Sequence, residues 1–417
     1  MTWYTDARSL DAAVREAVDS VRILDIHTHL YPASFGSLLL WGIDELLTYH
    51  YLIAEVMRVA PETLSYEDFY RLSKSAQADM IWDALFVKRS PLSEACRGIV
   101  TTIAKLGIDP NEKDLNTIRK GFASVSTTEQ IDRVFELAGV DSVIMTNNPF
   151  DAEELPAWEA GGIADGRFKA ALRIDDILLN LPAHAGELRQ RGYHVNGDLS
   201  ENSTDELRRF LTDWFDRIDP WYVAASVSPE FDYPGDERTR CLLDDAILPA
   251  ARDKGLPFAL MAGVKRAVNP RLGLAGDGVG TCDPGFVERL CAANPDNKFL
   301  LTMLPRENQH ALVVIARKFR NLHVFGCWWF VNNPSIIREM TAQRLEMLGL
   351  SFTPQHSDAR VLDQLIYKWT HSRRVIGEVL AEHYHNLHLA GYEPTADEIS
   401  HAVSDLFGGA FRAFVGR

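Results

Sequence analysis

Short apolar runs alternate with longer amphipathic segments along most of this chain. The first run, at 21–26, is rich in β-branched residues and predicts a buried strand. Further strand-like runs follow at 140–146, 167–174, 221–228, 256–263, 298–304 and 321–329, and a final one ends near 355–358. Helical patterns separate these runs. The alternation is typical of parallel βα units, and about eight such units predict an α/β fold with a closed (β/α)₈ TIM barrel.

One segment departs from this alternation. From 37 to 128 the pattern is almost wholly helical, which predicts a helical insertion after the first strand. The length of 417 residues suits one barrel enlarged by such an insertion, so we predict a single domain over 1–417. Near the end of the chain, Thr395 and Glu398 have the spacing of a capping box and predict the start of a helix.

The composition bears on partners and compartment. A formal net charge of −15 argues against nucleic acid, because binding its phosphates requires clustered Lys and Arg. It does not exclude an anionic small molecule, provided that a few arginines are concentrated in the site. The 5 cysteines are scattered without a CxxC pair. No segment approaches the roughly 18 apolar residues of a membrane span, so we expect a cytoplasmic protein without a membrane partner.

The strongest local signal is the sequence DIHTHL at 25–30. Residues i and i+2 of a strand point the same way, so His27 and His29 can place two imidazoles on one metal ion. The motif also ends the first predicted strand, and the catalytic residues of barrels collect at the C-terminal ends of the strands. By itself, a histidine pair with this spacing is equally compatible with a structural or incidental role.

A metal site on two imidazoles needs a further ligand. Asp358 closes the predicted eighth strand, which returns to the barrel mouth beside the first strand. Its carboxylate could complete the ligand set or act as a base, and capping of the following helix is the alternative. Two imidazoles and a carboxylate suit one divalent metal ion, with zinc as the first expectation and manganese or iron as the others.

Basic and aromatic residues mark other predicted strand ends. Arg360 is placed to bind a carboxylate or an oxyanion, and Arg173 ends another strand. Together they indicate an acidic substrate, although Arg173 could equally form surface ion pairs with the aspartates that follow it. Trp328 and Trp329 end a strand where aromatic faces commonly close a pocket, with core filling as the alternative. On an alternating strand only one of the two tryptophans should face the interior.

With these residues the chain resembles the uronate isomerases (glucuronate isomerases), a branch of the amidohydrolase superfamily, over nearly its whole length. The resemblance rests on DIHTHL at 25–30, His50-Tyr51 in the helical insertion, the segment 82–89, TNNP at 146–149, Leu172-Arg173 with Asp175, LPREN at 304–308, FGCWWFVN at 325–332, SDAR at 357–360 and Arg373-Arg374. It implies a barrel of the amidohydrolase type with one metal site.

The resemblance also implies an activity. Uronate isomerases interconvert a hexuronate and its keto form, such as glucuronate and fructuronate or galacturonate and tagaturonate, by moving a proton between C2 and C1. Metal ligation would then fall to His27, His29 and Asp358. The carboxylate of Asp358 would abstract the C2 proton, and His50 and Tyr51 would assist proton transfer at the carbonyl end.

The same resemblance implies how the substrate is held. Arg173 and Arg360 would hold the substrate carboxylate or stabilise the enediolate, so Arg360 counts among the catalytic residues as well. Trp328 or Trp329 would wall the pocket, and Arg306 would add a further substrate-binding cation. The predicted partner is a small-molecule sugar acid, and the sequence is compatible with a homo-oligomer.

Two positions differ from the family pattern. Met261 stands where the fifth strand presents a histidine, and Ser228-Pro229-Glu230 stands where the fourth strand presents an aspartate followed by a histidine, although Glu230 could substitute. A metal-dependent hydrolase, decarboxylase or lyase of a related sugar acid is therefore the alternative function, and a binding protein without catalysis is the third. The missing histidine argues against the usual hydrolase and decarboxylase layouts. Retention of Asp358 argues against pure binding.

Overall fold

The apolar runs form one parallel sheet. The structure is a computed structural model that describes residues 4, 6–123 and 125–417. Its strands are β1 (Ile23–Thr28), β2 (Val140–Asn147), β3 (Phe168–Arg173), β4 (Val223–Val227), β5 (Phe258–Ala262), β6 (Val264–Lys265), β7 (Gly278–Val279), β8 (Phe299–Met303) and β9 (Leu322–Val324). Seven of these described strands pair in parallel in the order β1-β2-β3-β4-β5-β8-β9, and β6 and β7 form a separate antiparallel hairpin. The predicted α/β fold of the barrel type is confirmed, with seven regular strands in the curled parallel sheet.

Side chains along each strand alternate between two apolar layers. On β5, Ala259 and Met261 join a cluster inside the curled sheet. Their neighbours Phe258, Leu260 and Ala262 join the cluster that includes the surrounding helices, and the whole strand is buried. This is the arrangement of a barrel wall, whose inner face is filled by its own side chains and whose outer face is covered by helices.

The segment 353–359 closes the gap between the two edge strands. At one end, Thr353 donates a backbone hydrogen bond to Val324 of β9 at 3.0 Å. At the other end, Asp358 donates one to His27 of β1 at 3.1 Å. The predicted eighth strand is therefore present in position but irregular in form, since Asp358 has a φ of 52°, in the left-handed region that a regular strand excludes.

Helices cover the outside of the sheet. The α-helices are α1 (Ala7–Ser20), α2 (Ile43–Leu47), α3 (His50–Met57), α4 (Tyr66–Arg71), α5 (Lys74–Trp82), α6 (Glu94–Lys105), α7 (Leu115–Phe122), α8 (Thr127–Ala138), α9 (Leu155–Glu159), α10 (Asp175–Gln190), α11 (Ser203–Ile218), α12 (Glu237–Arg240), α13 (Leu248–Asp253), α14 (Gly285–Ala293), α15 (Gln309–Ala316), α16 (Pro334–Leu348), α17 (Gln364–Leu389), α18 (Ala396–Ser404) and α19 (Ala410–Val415). Short 3₁₀ turns lie at Ala33–Leu38, Pro270–Gly276, Arg306–Asn308 and Trp329–Val331, and π-helical turns at Asp83–Val87, Cys241–Ile247 and Asp405–Gly409. The predicted capping box of Thr395 and Glu398 is confirmed at the start of α18. No helix within the described ranges is long and apolar enough to cross a membrane.

Helices α2 to α7 fill most of the segment predicted as an insertion, 37–128, between β1 and β2. Helix α3 packs against the 3₁₀ turn at Pro270–Gly276, in the loop that follows β5. The hydroxyl of Tyr70 on α4 donates to the carbonyl of Leu272 in that turn at 2.5 Å. The helical segment therefore reaches over to the opposite side of the barrel mouth. The single domain over 1–417 stays a prediction, and residues 1–3, 5 and 124 lie outside the described residues.

Candidate active site

Three side chains with metal-ligand chemistry meet at the C-terminal end of β1. His27 lies on β1, His29 directly follows it, and Asp358 comes from the closing segment. Nε2 of His27 lies 3.7 Å from Oδ1 of Asp358, and Nε2 of His29 lies 3.4 Å from the same oxygen. The ligand atoms of the three residues all lie within 4.8 Å of one another. The structure thus brings together the trio that the sequence predicts as metal ligands.

The hydroxyl of Tyr222, which directly precedes β4, determines which ring nitrogen of His27 carries the proton. The hydroxyl of Tyr222 donates to the backbone carbonyl of Ile26 at 2.9 Å, so its oxygen accepts from Nδ1 of His27 at 3.1 Å. The proton of the neutral imidazole then sits on Nδ1, and Nε2 keeps its lone pair. Nε2 of His27 is buried and has no hydrogen-bond partner among the described residues.

A threonine plays the same part for His29. The hydroxyl of Thr146 on β2 donates to the carbonyl of Thr28 at 3.2 Å, and its oxygen lies 2.9 Å from Nδ1 of His29. The His29 ring therefore also presents the lone pair of Nε2 to the centre of the trio. Three acceptor atoms converge there with no donor among them, which is the arrangement that a cation requires.

Burial and mutual contact set the charges of the trio. Burial lowers the pKa of both His27 and His29, which keeps the two imidazoles neutral near pH 7. Burial raises the pKa of Asp358, whereas a hydrogen bond from His29 and the charges of the histidines, in the states in which these rings are protonated, lower it, and the lowering prevails. An anionic carboxylate beside two neutral imidazoles is a ligand set for a divalent cation.

The trio lies beside two adjoining chambers. The inner chamber has a volume of about 80 Å³ and the outer one about 630 Å³. The residues that line both are His29, Arg173, Ser226, Arg266 and Arg360. The inner chamber is also lined by Tyr49, His50, Met261, Leu274, Asp277, Trp328, Trp329 and Asp358. A polar organic acid in the inner chamber would thus meet His29, Asp358 and three arginines.

The three arginines differ in their partners. Arg173 forms a bidentate contact with Asp175, at 2.9 and 2.6 Å, so it lines the chambers and is ion-paired at the same time. Arg266 pairs with Asp277 at 2.5 Å across the β6–β7 hairpin. Arg360 forms no salt bridge within the part of the chain that the structure describes. It is therefore the cation best placed to take a carboxylate from outside.

Aromatic residues and a histidine form the far wall of the inner chamber. The His50 ring packs against Tyr49 at a tilt of 35°, with 4.0 Å between the ring centres, and lies 5.4 Å from the Trp329 ring. Burial and, to a lesser extent, the Arg360 charge lower the pKa of His50 to about 3, so the ring is neutral. Among the described residues, neither Nε2 of His50 nor the Tyr51 hydroxyl has a hydrogen-bond partner. His50 lines the inner chamber, whereas Tyr51 lies behind it and lines neither chamber.

The two tryptophans differ from the alternation expected of a strand. Both Trp328 and Trp329 line the inner chamber. The reason is that β9 ends at Val324, before the tryptophans, and Trp329 begins a 3₁₀ turn with a φ of 45°. The period-2 rule therefore no longer applies where the two rings lie.

Other sequence predictions receive no support from the geometry. Arg306 pairs with Glu339 at 2.9 Å, with 56% of its side chain exposed, and lines neither chamber. Glu230 is exposed, and Ser226 of β4 faces the chambers. Sequence reasoning missed Arg266, because no local pattern shows that the hairpin after β5 folds back over the mouth.

Solved structures resemble the chain over almost its full length. An uronate isomerase from Bacillus halodurans C-125 is 52% identical, with a TM-score of 0.97, over 99% of this chain and 98% of that one. The chain belongs to the uronate isomerase family. The predicted family and the prediction that the chain is an enzyme are thereby confirmed. No protein-family model and no curated protein sequence matches it.

Two more distant structures share the fold of this uronate isomerase family member. An uronate isomerase from Thermotoga maritima is 15% identical over 97% of both chains, with a TM-score of 0.78. A glucuronate isomerase from Caulobacter crescentus is 15% identical over 99% of this chain and 95% of that one, with a TM-score of 0.75. At this level of identity the likeness concerns the fold alone.

Proposed function

We propose that the protein is a metal-dependent aldose–ketose isomerase acting on a hexuronate of the glucuronate/fructuronate or galacturonate/tagaturonate type. The 52% identity to an uronate isomerase supports this assignment. The observation that carries it is the position of Asp358 and Arg360 in one chamber. A carbon acid needs a base beside its C–H bond, and a hexuronate needs a cation for its carboxylate.

His27, His29 and Asp358 would hold the divalent metal. The fit rests on the two Nδ1 contacts, which leave both Nε2 lone pairs and the carboxylate facing one point. When bound, the metal would act as a Lewis acid that orients and polarises substrate oxygens. Zinc suits this set best, and manganese and iron also fit it.

The contact between Tyr222 and His27 gives a test of the metal site. Tyr222→Phe removes the hydroxyl that orients the imidazole, and we expect metal affinity to fall about 10- to 100-fold with the fold intact. The measurement is competition with a chromogenic chelator. Tyr233→Phe is the control, since the partly buried Tyr233 hydroxyl donates to Asp244 at 2.9 Å, away from the trio. Equal affinity in the Tyr222 variant and the wild type would contradict the proposed role.

The protein groups would move one proton along the substrate. The Asp358 carboxylate would take the proton from C2, and the electron pair of that bond would form an enediolate with the former carbonyl. Returning the proton to C1 would give the ketose. His50 and Tyr51 would exchange the hydroxyl proton at the carbonyl end. Arg360 would hold the carboxylate, and Arg173, which lines the same chamber, would offset the charge of the enediolate.

Arg360→Met should impair the handling of acidic substrates. The Arg360 guanidinium forms no salt bridge with a carboxylate among the described residues. The substitution therefore removes a positive charge whose counter-ion would be the substrate carboxylate. We expect kcat/KM for a hexuronate to fall by about 100-fold, corresponding to a charged hydrogen-bond pair. Arg240→Met, on exposed α12 with its own partner Glu237, is the control. Unchanged kcat and KM in the Arg360 variant would show that the carboxylate binds elsewhere.

The reaction itself is tested by proton NMR in D₂O. Metal-analysed protein is incubated with D-glucuronate and with D-galacturonate, and ketose formation and exchange at C2 are followed. We expect both signals with at least one substrate. A folded, metal-loaded protein that shows neither signal would overturn the isomerase assignment and favour hydrolysis or decarboxylation of a related acid. Met261, which lines the inner chamber where the family pattern has a histidine, would then be the first residue to substitute.

A further inference from the structure

Helix α17 turns one stripe of side chains toward the closing segment. Gln364 accepts a hydrogen bond from the backbone N–H of Arg360 at 2.9 Å, and Ser372 accepts one from the Gln355 amide at 3.0 Å. Lys368 lies between them on the same stripe, because residues four apart share one face of a helix. Only 4% of Lys368 is exposed. A lysine is thus held inside the protein, behind the candidate active site.

Lys368 has no carboxylate to neutralise it at short range. Within the described residues it forms no salt bridge at the 4.0 Å limit. Its Nζ lies instead 5.6 Å from the ring centre of Tyr51 and 6.0 Å from that of Tyr367. A buried ammonium without an anion is costly to fold, and such groups are concentrated at functional sites. The position therefore calls for an explanation beyond packing.

We propose that Lys368 is a positioning residue that holds the Tyr51 ring and stabilises the negative charge that develops on its hydroxyl during proton transfer. This inference rests on the proposed function, in which His50 and Tyr51 serve the carbonyl end of the substrate. Neither Lys368 nor Tyr51 lines the two chambers, whereas His50, the chain neighbour of Tyr51, lines the inner one. The Tyr51 ring lies 4.5 Å from the His50 ring, so Lys368 is assigned an effect through Tyr51 and not a contact with the substrate.

The surroundings of Tyr51 show why a cation is useful there. Burial, with smaller effects of Tyr49 and Asp358, raises the pKa of Tyr51 well above its usual value. These effects oppose any loss of the hydroxyl proton. A cation over the ring is attracted to its electron-rich face, and the attraction grows as negative charge spreads from the oxygen into the ring. Lys368 therefore favours the state in which Tyr51 has given up its proton.

Carboxylates at longer range help to keep Lys368 charged. Burial lowers the pKa of Lys368, whereas the charges of Asp358, Asp25 and Glu94 act in the opposite direction. Lys368 in turn lowers the pKa of His50, in addition to the larger effects of burial and Arg360. The ammonium is thus coupled electrostatically to the two residues of the carbonyl end.

A structural role and the proposed role predict different outcomes for Lys368→Met, which keeps the aliphatic stem and removes the charge. If Lys368 served folding alone, the variant would melt at a lower temperature and its folded fraction would turn over normally. Under our proposal, kcat falls about tenfold or more and KM changes little, since ground-state binding is untouched. The melting temperature stays equal or rises, because an unpaired buried charge has been removed.

Lys298→Met is the matched control. Its Nζ also lies over an aromatic ring, 5.7 Å from the centre of Phe414, but on the exposed surface and remote from the chambers. We expect this variant to keep the wild-type kcat and KM. A similar loss of kcat in both variants would overturn the proposal, because it would show a nonspecific effect of removing a lysine.

A double-mutant cycle with Tyr51→Phe decides whether Lys368 acts through Tyr51. We expect Lys368→Met to slow the wild type about tenfold and to have almost no further effect in the Tyr51→Phe background. Full additivity would overturn the inference. The same cycle is also measured on free energies of unfolding, which do not depend on activity. A wild type without isomerase activity would refute the proposed function. Additive unfolding free energies would refute the Lys368–Tyr51 contact, whatever the activity.

Discussion

Asp358→Asn should leave the protein folded and lower turnover of a hexuronate by at least about 10³-fold. The substitution keeps the size of the side chain and removes both the negative charge and the basicity of its oxygen. It also suits the backbone, because the φ of 52° at this position is tolerated by asparagine far better than by alanine. The loss can then be assigned to chemistry and not to local strain.

A second buried acid supplies the control for that experiment. The Asp363 carboxylate accepts from the Gly42 N–H at 2.7 Å and from the Gln130 amide. Asp363 directly precedes α17 and lies outside the chambers. Asp363→Asn should reduce the free energy of unfolding by about 1–3 kcal/mol through a lost buried hydrogen bond, with turnover of the folded protein retained. Circular dichroism, melting temperature and steady-state kinetics are measured on both variants. Near-normal activity of the Asp358 variant would refute the assigned base.

The strands were predictable because their signal is local. Apolar runs such as 140–146 and 256–263 coincide with β2 and β5, since a strand buried on both faces must be apolar throughout. The eighth strand follows from the number of βα units that a barrel needs and not from its own residue pattern. Residues 353–359 contain a non-glycine residue at positive φ and polar side chains, and their place in the wall depends on hydrogen bonds to two distant strands.

The candidate site was predictable in part for the same reason. His27 and His29 share a face through their spacing, and Asp358 follows from the closure of the barrel, so the trio could be assembled from local rules. Arg266 could not, because its approach to the chambers depends on the β6–β7 hairpin packing against helices about 200 residues earlier. For Arg306 the motif predicts a contact with substrate, and the geometry gives that prediction no support, because the side chain pairs with Glu339 at the surface.

Removal of the metal should abolish activity and lower stability together. A chelator that withdraws the ion leaves the anionic Asp358 facing two lone pairs inside the protein, an arrangement with no internal compensation. An ion present at 100 times its dissociation constant stabilises the folded state by about 2.7 kcal/mol, and this contribution disappears on chelation. We therefore expect a lower melting temperature and a loss of turnover of at least about 100-fold, both reversed by added zinc, manganese or iron(II).

A variant of one ligand tests whether the trio is the site from which the chelator withdraws the metal. In His27→Gln the ligand set is incomplete from the start, so the chelator should no longer shift the melting temperature, and added metal should restore neither stability nor turnover. A chelator effect that persisted unchanged in this variant would place the ion elsewhere. Of zinc, manganese and iron(II), the cation that restores most turnover at equal occupancy is the best match to two imidazole nitrogens and one carboxylate. Binding affinity would not identify it, because affinities for divalent ions follow the same general order at most protein sites.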